Sequence, residues 1–358
     1  MKSKIIVFDL HNTLFDEVAE FGPSIFEAIY FFLQKAEEKG TVLKEETICE
    51  QLRFFHSSLS DPNSPPDDWN GDVWNHLPCL KKVFGNEFVE LTKEAERIRG
   101  EKSTKLVKKT AYYRVIQYIK ELKTLGNKIY IVTEGTTRVV KEQLSALKIL
   151  SKDYLDGVIT YPSVEGILFP KIDGVFYREF PKYKDDMYCR KPSALLLAQI
   201  VILEITNRMG KEITIDQVFD ITYDELREEK EEFSQRLQRD IGTRVFIKNE
   251  TLYTDLAQEI MKNMVMVGDS KFKDGFLAKN FGVQFIFAKY GKNVSEGKEE
   301  VKKNISMLDN VSGWDPKELK LTHNAGKSEA VSSLKPNYVA NTQEKLVDFL
   351  TTIVEQQK

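Results

Sequence analysis

The chain has 358 residues, of which 41% are apolar and 30% charged, so it can bury a globular core and disorder is not expected. Its net charge of -3 argues against a basic surface, and no nucleic-acid partner is predicted. The apolar run before Asp9 is too short for a signal peptide, and the longest apolar stretch, 194–205, is too short to span a bilayer. We therefore predict a cytoplasmic protein with no membrane partner.

The three cysteines are Cys49, Cys79 and Cys189, which lie far apart in the chain. Their spacing does not match that of a metal site, and three cysteines cannot all pair in disulfide bonds within the chain. This usage indicates a reducing compartment.

The first predicted element is a strand at 5–8, Ile-Ile-Val-Phe, followed by Asp9 and a polar turn. A continuous apolar run of this kind is typical of a strand buried on both faces in a parallel sheet. In open α/β sheets, ligands bind beyond the carboxyl ends of such strands. Asp9 is either a reacting carboxylate or an aspartate that merely precedes a turn. This stretch alone does not decide between the two readings.

A mainly helical segment follows the first strand. Apolar residues at helical spacing predict helices at 15–38, 45–55, 87–99 and 105–125, and the Pro-rich stretch 60–68 predicts a loop. No strand is predicted between 16 and 125. The segment is therefore interpreted as a helical insert the size of a small domain.

The rest of the chain alternates strands and helices. Strands are predicted at 128–133, 157–160, 264–267, 284–287 and 337–340, and helices at 137–147, 194–205 and 342–356. Segment 162–188 is predicted as a loop with a short hairpin. Two segments, near 205–260 and near 291–335, are predicted to leave the α/β core and are called excursions. The first would contain a charged helix at 224–239 and a strand-like run at 244–248. This order predicts an α/β fold with a Rossmann-like three-layer core, a parallel sheet with helices on both faces.

Reactive side chains stand at the ends of predicted strands or the starts of helices: Asp9, Thr133, Lys191, Asp269 and Asp274. Their sequence contexts are IIVFDLHNTL, IYIVTEG, CRKPS and VMVGDSKFKD, in that order. The order and context resemble the haloacid dehalogenase-like (HAD) superfamily, and the stretch YLDGVIT adds to the resemblance. Each motif alone is weak, but together on strand ends they form a strong signal.

The resemblance implies a Mg²⁺-dependent phosphohydrolase. Asp9 would attack phosphorus and form an aspartyl phosphate. Asp9, the backbone carbonyl of His11, Asp269 and Asp274, the last directly or through water, would bind Mg²⁺. The substrate-binding residues would be Thr133, Glu134, Gly135 and Lys191. The dehalogenase branch needs no metal, so the presence of both Asp269 and Asp274 argues against it.

Each of these residues also has an ordinary structural interpretation. Thr133 would be a strand-end hydroxyl, Lys191 a surface lysine and Asp274 a helix cap. Each reading is plausible alone, but all of them together require a coincidence.

His11 departs from the family pattern, because phosphatases of this type usually have a second aspartate there. One reading makes His11 the acid and base, which its ordinary pKa suits, although nearby Mg²⁺ would disfavour imidazolium. A second reading is that the leaving group needs no protonation. A third is that hydrolysis is impaired, leaving phosphotransfer, phosphonate cleavage or a non-hydrolytic phosphate-binding or regulatory module.

The resemblance divides the chain into a core, 1–15 with 111–358, and a helical cap, 16–110. A cap would close over the site and select the substrate, a small phosphorylated molecule. Cap residues that could contact substrate are Arg53, His56, Trp69, Trp74 and His76, although a structural role is the more common one for each. Phe54 and Phe55 are predicted to lie in the cap core.

Overall fold

The structure of the chain is a computed structural model. The residues it describes are 3–59, 73–161, 171–172, 174–179, 191, 193–222, 244–249, 251–292, 306–307, 310 and 334–355. The predicted charged helix at 224–239, the loop at 60–68 and nearly all of the excursion near 291–335 lie outside these residues.

The main sheet is built on strands whose apolar runs the sequence predicted. Its strands are β1 (Ile5–Phe8), β2 (Lys128–Thr136), β3 (Gly157–Tyr161), β4 (Lys171–Ile172), β5 (Val175–Glu179), β8 (Met264–Gly268), β9 (Gln284–Ala288) and β10 (Tyr338–Ala340). Two further strands, β6 (Phe219–Thr222) and β7 (Arg244–Ile247), form a separate antiparallel pair.

The strand order of the main sheet is β10-β9-β8-β1-β2-β3-β5-β4. All of its neighbours are parallel except β4 and β5, whose antiparallel pairing confirms the short hairpin predicted within 162–188. β1 is central, with β2 on one side and β8 on the other. The chain therefore winds in opposite directions from β1, and ligands bind at the carboxyl ends of strands at such a switch point.

Alternate residues of the central strands pack on opposite faces of the sheet. Ile5 and Val7 of β1 join one hydrophobic cluster, whereas Ile6 and Phe8 join the other. Both faces are buried because helices cover each of them, which explains the uninterrupted apolar sequence of the strand. The predicted three-layer, Rossmann-like α/β fold is confirmed.

The helices are α1 (Val18–Glu38), α2 (Glu45–Leu59), α3 (Pro78–Phe84), α4 (Phe88–Thr110), α5 (Tyr113–Thr124), α6 (Thr137–Ala146), α7 (Leu195–Met209), α8 (Thr254–Lys262), α9 (Phe276–Phe281) and α10 (Gln343–Glu355). Among the described residues, no helix combines the length and the apolar character needed to span a membrane.

The single helix predicted at 105–125 is wrong, because the chain breaks between α4 and α5. Ala111 pairs with Phe15 in an antiparallel bridge, and the Tyr112 N–H donates to the Leu14 carbonyl at 2.8 Å. These pairings take the backbone out of the helical path. The segment that enters the helical insert, at Leu14 and Phe15, therefore lies beside the segment that leaves it, at Ala111 and Tyr112.

The helical insert has its own hydrophobic cluster, formed by α1, α2, α3 and the start of α4. Trp74 is 1% exposed there and packs on Phe32 with ring centroids 5.3 Å apart. Phe54, predicted to lie in this core, is 77% exposed, so that prediction is wrong. Helical periodicity shows which residues share a face, but the neighbouring helices decide which face is covered.

Part of the predicted excursion near 205–260 contributes to the main core. Phe219 of β6 and Val245 of β7 join the cluster that also contains α7 and α8. The predicted buried helix at 194–205 is confirmed by α7, most of whose residues are buried. Its position against the sheet explains its nearly continuous apolar sequence.

Candidate active site

Asp9 lies where β1 ends, at the switch point of the sheet. Its backbone N–H donates to the Val267 carbonyl of β8 at 2.8 Å, and its side chain is buried. Asp269 follows directly after β8, the neighbouring strand. Parallel strands end at the same edge of a sheet, and this edge brings together carboxylates far apart in sequence.

Lys191 contacts two carboxylates at this edge of the sheet, Asp9 and Asp274. Its Nζ lies 2.7 Å from Oδ1 of Asp274 and also donates to Oδ1 of Asp9. Burial opposes the charge on Lys191, but Asp274 and Asp9 outweigh it and raise its pKa. Lys191 is therefore a buried ammonium group rather than a surface lysine.

Asp274 is held by the turn that follows β8. The Ser270 N–H donates to its Oδ2 at 3.0 Å, and a Cβ at Gly268 would lie 2.2 Å from that oxygen. Glycine is required at 268 because the carboxylate occupies the place of a side chain. Burial raises the pKa of Asp274, Lys191 lowers it, and Asp9 raises it further. The carboxylate is thus costly to ionise unless more positive charge is present.

Asp9, Asp269 and Asp274 each offer an oxygen, and these oxygens lie within 4.8 Å of one another. Carboxylate oxygens are the ligands that Mg²⁺ prefers in proteins. Lys191 supplies one positive charge against these three carboxylates, so a divalent cation would complete the balance. The donor set fits Mg²⁺.

The motif IYIVTEG at the end of β2 lies beside the motif IIVFDLHNTL at the end of β1. Thr133 is fully buried in β2, and its hydroxyl accepts from the Gly135 N–H at 3.2 Å. A Cβ at Gly135 would approach Cε1 of His11 to 3.1 Å and Cγ2 of Val140 to 2.7 Å. Glycine at 135 therefore allows the end of β2 to approach His11 closely.

Glu134 has an ion-pair partner that the sequence analysis did not identify. Lys273 Nζ lies 2.5 Å from its Oε2, and this pair links the end of β2 to the turn after β8. Glu134 and, to a smaller extent, Glu17 raise the pKa of Lys273 against burial and the charge of Lys191. The sequence signal was the position of Lys273 directly before Asp274.

His11 is held between two side chains. Its Nε2 lies 3.1 Å from Oε1 of Gln143 on α6, and its Nδ1 lies 3.6 Å from Oε1 of Glu17. Burial opposes protonation, but Glu17, Asp9, Gln143 and Glu20 together raise the pKa of the imidazole. These contacts favour imidazolium and act against the effect expected from nearby Mg²⁺. Sequence reasoning missed Gln143, which gave no signal apart from its place in a helix.

Hydrogen bonds of Asn12 and Thr13 hold the loop that follows Asp9. Asn12 has a φ of 55°, a left-handed conformation that asparagine tolerates, and its Oδ1 accepts from the Glu17 N–H at 3.0 Å. Thr13 Oγ1 lies 3.4 Å from Oδ2 of Asp9, and the Tyr290 hydroxyl donates to the Thr13 carbonyl at 2.8 Å. Tyr290, from the segment after β9, was also missed from sequence.

The structure separates the proposed cap contacts. Trp74 is buried and its indole N–H donates to Glu96, so it has the structural role that the sequence analysis considered the more common one. Arg53 and His76 are exposed. The side chain of His56 and all of Trp69 lie outside the described residues.

The sequence matches no family profile and no curated protein. Similar solved structures include a HAD phosphatase from Thermococcus onnurineus, 18% identical, with 98% of each chain covered and a TM-score of 0.42. A 2-haloacid dehalogenase from Pseudomonas syringae is 13% identical, with 98% of this chain and 99% of that chain covered and a TM-score of 0.42.

A structure described as a HAD hydrolase from Bacillus subtilis, bound to magnesium, is 11% identical, with 98% of this chain and 100% of that chain covered and a TM-score of 0.43.

Proposed function

We propose that the protein is a Mg²⁺-dependent phosphohydrolase that acts on a small phosphorylated metabolite through an aspartyl-phosphate intermediate on Asp9. The observation that carries the proposal is the buried contact of Lys191 with both Asp9 and Asp274, beside Asp269. This arrangement supports a role for Asp9 as the nucleophile, for Lys191 as a fixed positive charge and for the three carboxylates as metal ligands. Phosphoryl transfer depends mainly on such positioning and charge stabilisation.

Asp9, Asp269 and Asp274 would hold the metal, with the His11 carbonyl as a further ligand by the family resemblance. When bound, Mg²⁺ would neutralise charge on the phosphoryl oxygens and on the carboxylates around them. Lys191 and the Thr133 hydroxyl would orient the phosphoryl group, and backbone groups of Glu134 and Gly135 would line its pocket. The side chain of Glu134 is instead engaged with Lys273.

The first step forms a bond between a carboxylate oxygen of Asp9 and phosphorus, and the bond from phosphorus to the leaving oxygen breaks. The imidazolium of His11 would give its proton to that oxygen. Water then attacks phosphorus and gives a proton to His11, and the bond to Asp9 breaks, releasing inorganic phosphate. His11 thus serves as acid and then as base. The contacts of its two ring nitrogens with Glu17 and Gln143 support the imidazolium form, and one nitrogen would exchange its partner for the leaving oxygen when substrate binds.

We further propose that residues 16–110 act as a cap over this site. The two connections between this segment and the core support the proposal, because they pair with each other at Phe15 and Ala111 and so lie at the same place. A lid on two adjacent connections can close as a unit and exclude water from the reaction. A cytoplasmic location remains a prediction.

The test measures hydrolysis of an aryl phosphate with and without Mg²⁺, for the wild-type protein and for Asp9→Asn. Turnover should require Mg²⁺ and be lost in Asp9→Asn, and a burst of aryl alcohol should precede the steady state if breakdown of the intermediate is slow. Asp153→Asn, at an exposed position, is the matched control and should be unaffected. Absence of turnover across a broad phosphate panel would instead favour a non-hydrolytic phosphate-binding module.

A further inference from the structure

A groove separate from the catalytic residues lies between α4 and α6. Its volume is about 480 Å³, within the range of small-molecule sites. Its lining residues are Thr104, Lys108, Arg138, Lys141, Glu142, Ser145 and Ala146. None of them belongs to the catalytic site proposed above.

The geometry of α6 separates the two sites. Arg138, Lys141 and Ser145 recur at a spacing of three or four residues, so they form one stripe along the helix. Gln143, the partner of His11, is buried on another face. One helix thus holds the imidazole on one side and lines the groove on the other.

The groove carries an excess of positive charge. Lys108 comes from α4, and Arg138 and Lys141 come from α6, whereas Glu142 is the carboxylate in the lining. Glu96 lies 3.3 Å from Nη2 of Arg138 and offsets part of that charge. Like charges gathered in a concave surface repel one another and attract an anion.

The donors suit a phosphate group in particular. A guanidinium, two ammonium groups and the hydroxyls of Thr104 and Ser145 line the groove, and Arg138 already donates one of its N–H groups to Glu96. Phosphate has enough terminal oxygens to accept several of these bonds, whereas a carboxylate has only two oxygens. Arg and Lys both form strong charge-assisted bonds to phosphate.

We propose that the groove between α4 and α6 is a second binding site, which takes a phosphate or diphosphate group of a small molecule. The two helices also lie near each other beside the groove: a Cβ at Gly100, one turn before Thr104, would make ordinary van der Waals contact with Oε2 of Glu142 at 3.5 Å. The ligand would contact both helices and so link the insert to the core.

The test is isothermal titration calorimetry with pyrophosphate in EDTA, because without Mg²⁺ the catalytic carboxylates repel this anion. The wild-type protein should bind one pyrophosphate saturably. Lys108→Glu with Lys141→Glu should weaken binding at least about tenfold, since two attractive contacts become repulsive. Lys105→Glu, an exposed lysine of α4 outside the lining, is the matched control and should change Kd less than about twofold.

Absence of saturable binding would overturn the proposal, as would an unchanged Kd in the double variant or an equal loss in Lys105→Glu. Citrate that binds as tightly as pyrophosphate would overturn the assignment to phosphate. Circular dichroism and thermal unfolding check that each variant folds. If the double Glu variant does not fold, the corresponding Gln variants serve, with a smaller loss of affinity expected.

Discussion

Lys191 and Asp274 form a buried ion pair with Nζ and Oδ1 2.7 Å apart, although 83 residues separate them in sequence. Their side chains are 2% and 1% exposed. Asp9 shares the same ammonium group. Asp269 also offers an oxygen close to those of Asp9 and Asp274. The stability of the metal-free protein therefore depends on how far Lys191 balances the negative charge of the proposed site.

Lys191→Met is expected to lower the free energy of unfolding by about 3–5 kcal/mol without metal, because it leaves buried carboxylates unpaired. Added Mg²⁺ should recover part of this loss by replacing the missing positive charge. Urea denaturation with EDTA and with Mg²⁺ measures both values. Lys345→Met, at an exposed lysine, should change neither. An equal loss with and without Mg²⁺ would contradict the proposed charge balance.

Gly268→Ala is expected to abolish metal binding although it removes no carboxylate from the chain. The new Cβ would lie 2.2 Å from Oδ2 of Asp274, so the carboxylate must move. The rise in Tm produced by Mg²⁺ should disappear, and activity should fall about a hundredfold, a loss of about 2.7 kcal/mol in transition-state stabilisation.

The matched control for this change is Gly100→Ala, where the new Cβ meets its nearest neighbour at 3.5 Å. Within helix α4 it should leave the response to Mg²⁺ intact and stabilise the protein by about 0.4–1 kcal/mol. If Gly268→Ala retained the full Mg²⁺ response, the proposed role of Asp274 would be wrong.

His11→Asp is expected to keep or raise aryl phosphatase activity, because a carboxylic acid can perform the same proton transfers. Steady-state kinetics with an aryl phosphate measures this. Loss of activity in His11→Asp would mean that the imidazole has a role that an aspartate cannot replace.

Gln143→Leu tests how the imidazole is held, since it removes the partner 3.1 Å from Nε2. We expect kcat to fall about tenfold or more in the wild-type background and to change little in the His11→Asp background. Gln117→Leu, at an exposed position of α5, is the control. Equal losses in both backgrounds would show that Gln143 acts independently of His11.

Cys49 is expected to be an unreactive thiol at neutral pH. Burial, and then the charge of Glu45, raises its pKa to about 11, so that roughly one molecule in a thousand carries the thiolate at pH 8. Because the thiolate is the reactive form, alkylation should accelerate about tenfold per pH unit up to pH 10.

The measurement uses a variant with Cys79→Ser and Cys189→Ser, treated with iodoacetamide between pH 7 and 10 under native conditions. The urea-unfolded variant is the control, and its rate should level off near the ordinary thiol pKa of about 8.5. A folded-state rate that levelled off at the same pH would contradict the raised pKa.

Much of the fold could be read from local patterns. The apolar runs at β1, β2, β3, β8 and β9 indicated buried parallel strands, and in the structure all of them belong to one sheet. Errors arose where a contact distant in sequence decides local structure. The break between α4 and α5 depends on the pairing of Ala111 with Phe15, and the exposure of Phe54 depends on which helix face is covered.

The sequence by itself determined the element order and the reactive residues of the main motifs, because strand ends and apolar periodicity are local properties. Only the tertiary structure decided that Lys191 contacts both Asp9 and Asp274, that Gln143 and Glu17 hold His11, and that Lys273 engages Glu134. These partners come from separate elements that meet only when the parallel strands align at one edge. Their pairing therefore reflects packing and charge balance, which a linear pattern does not contain.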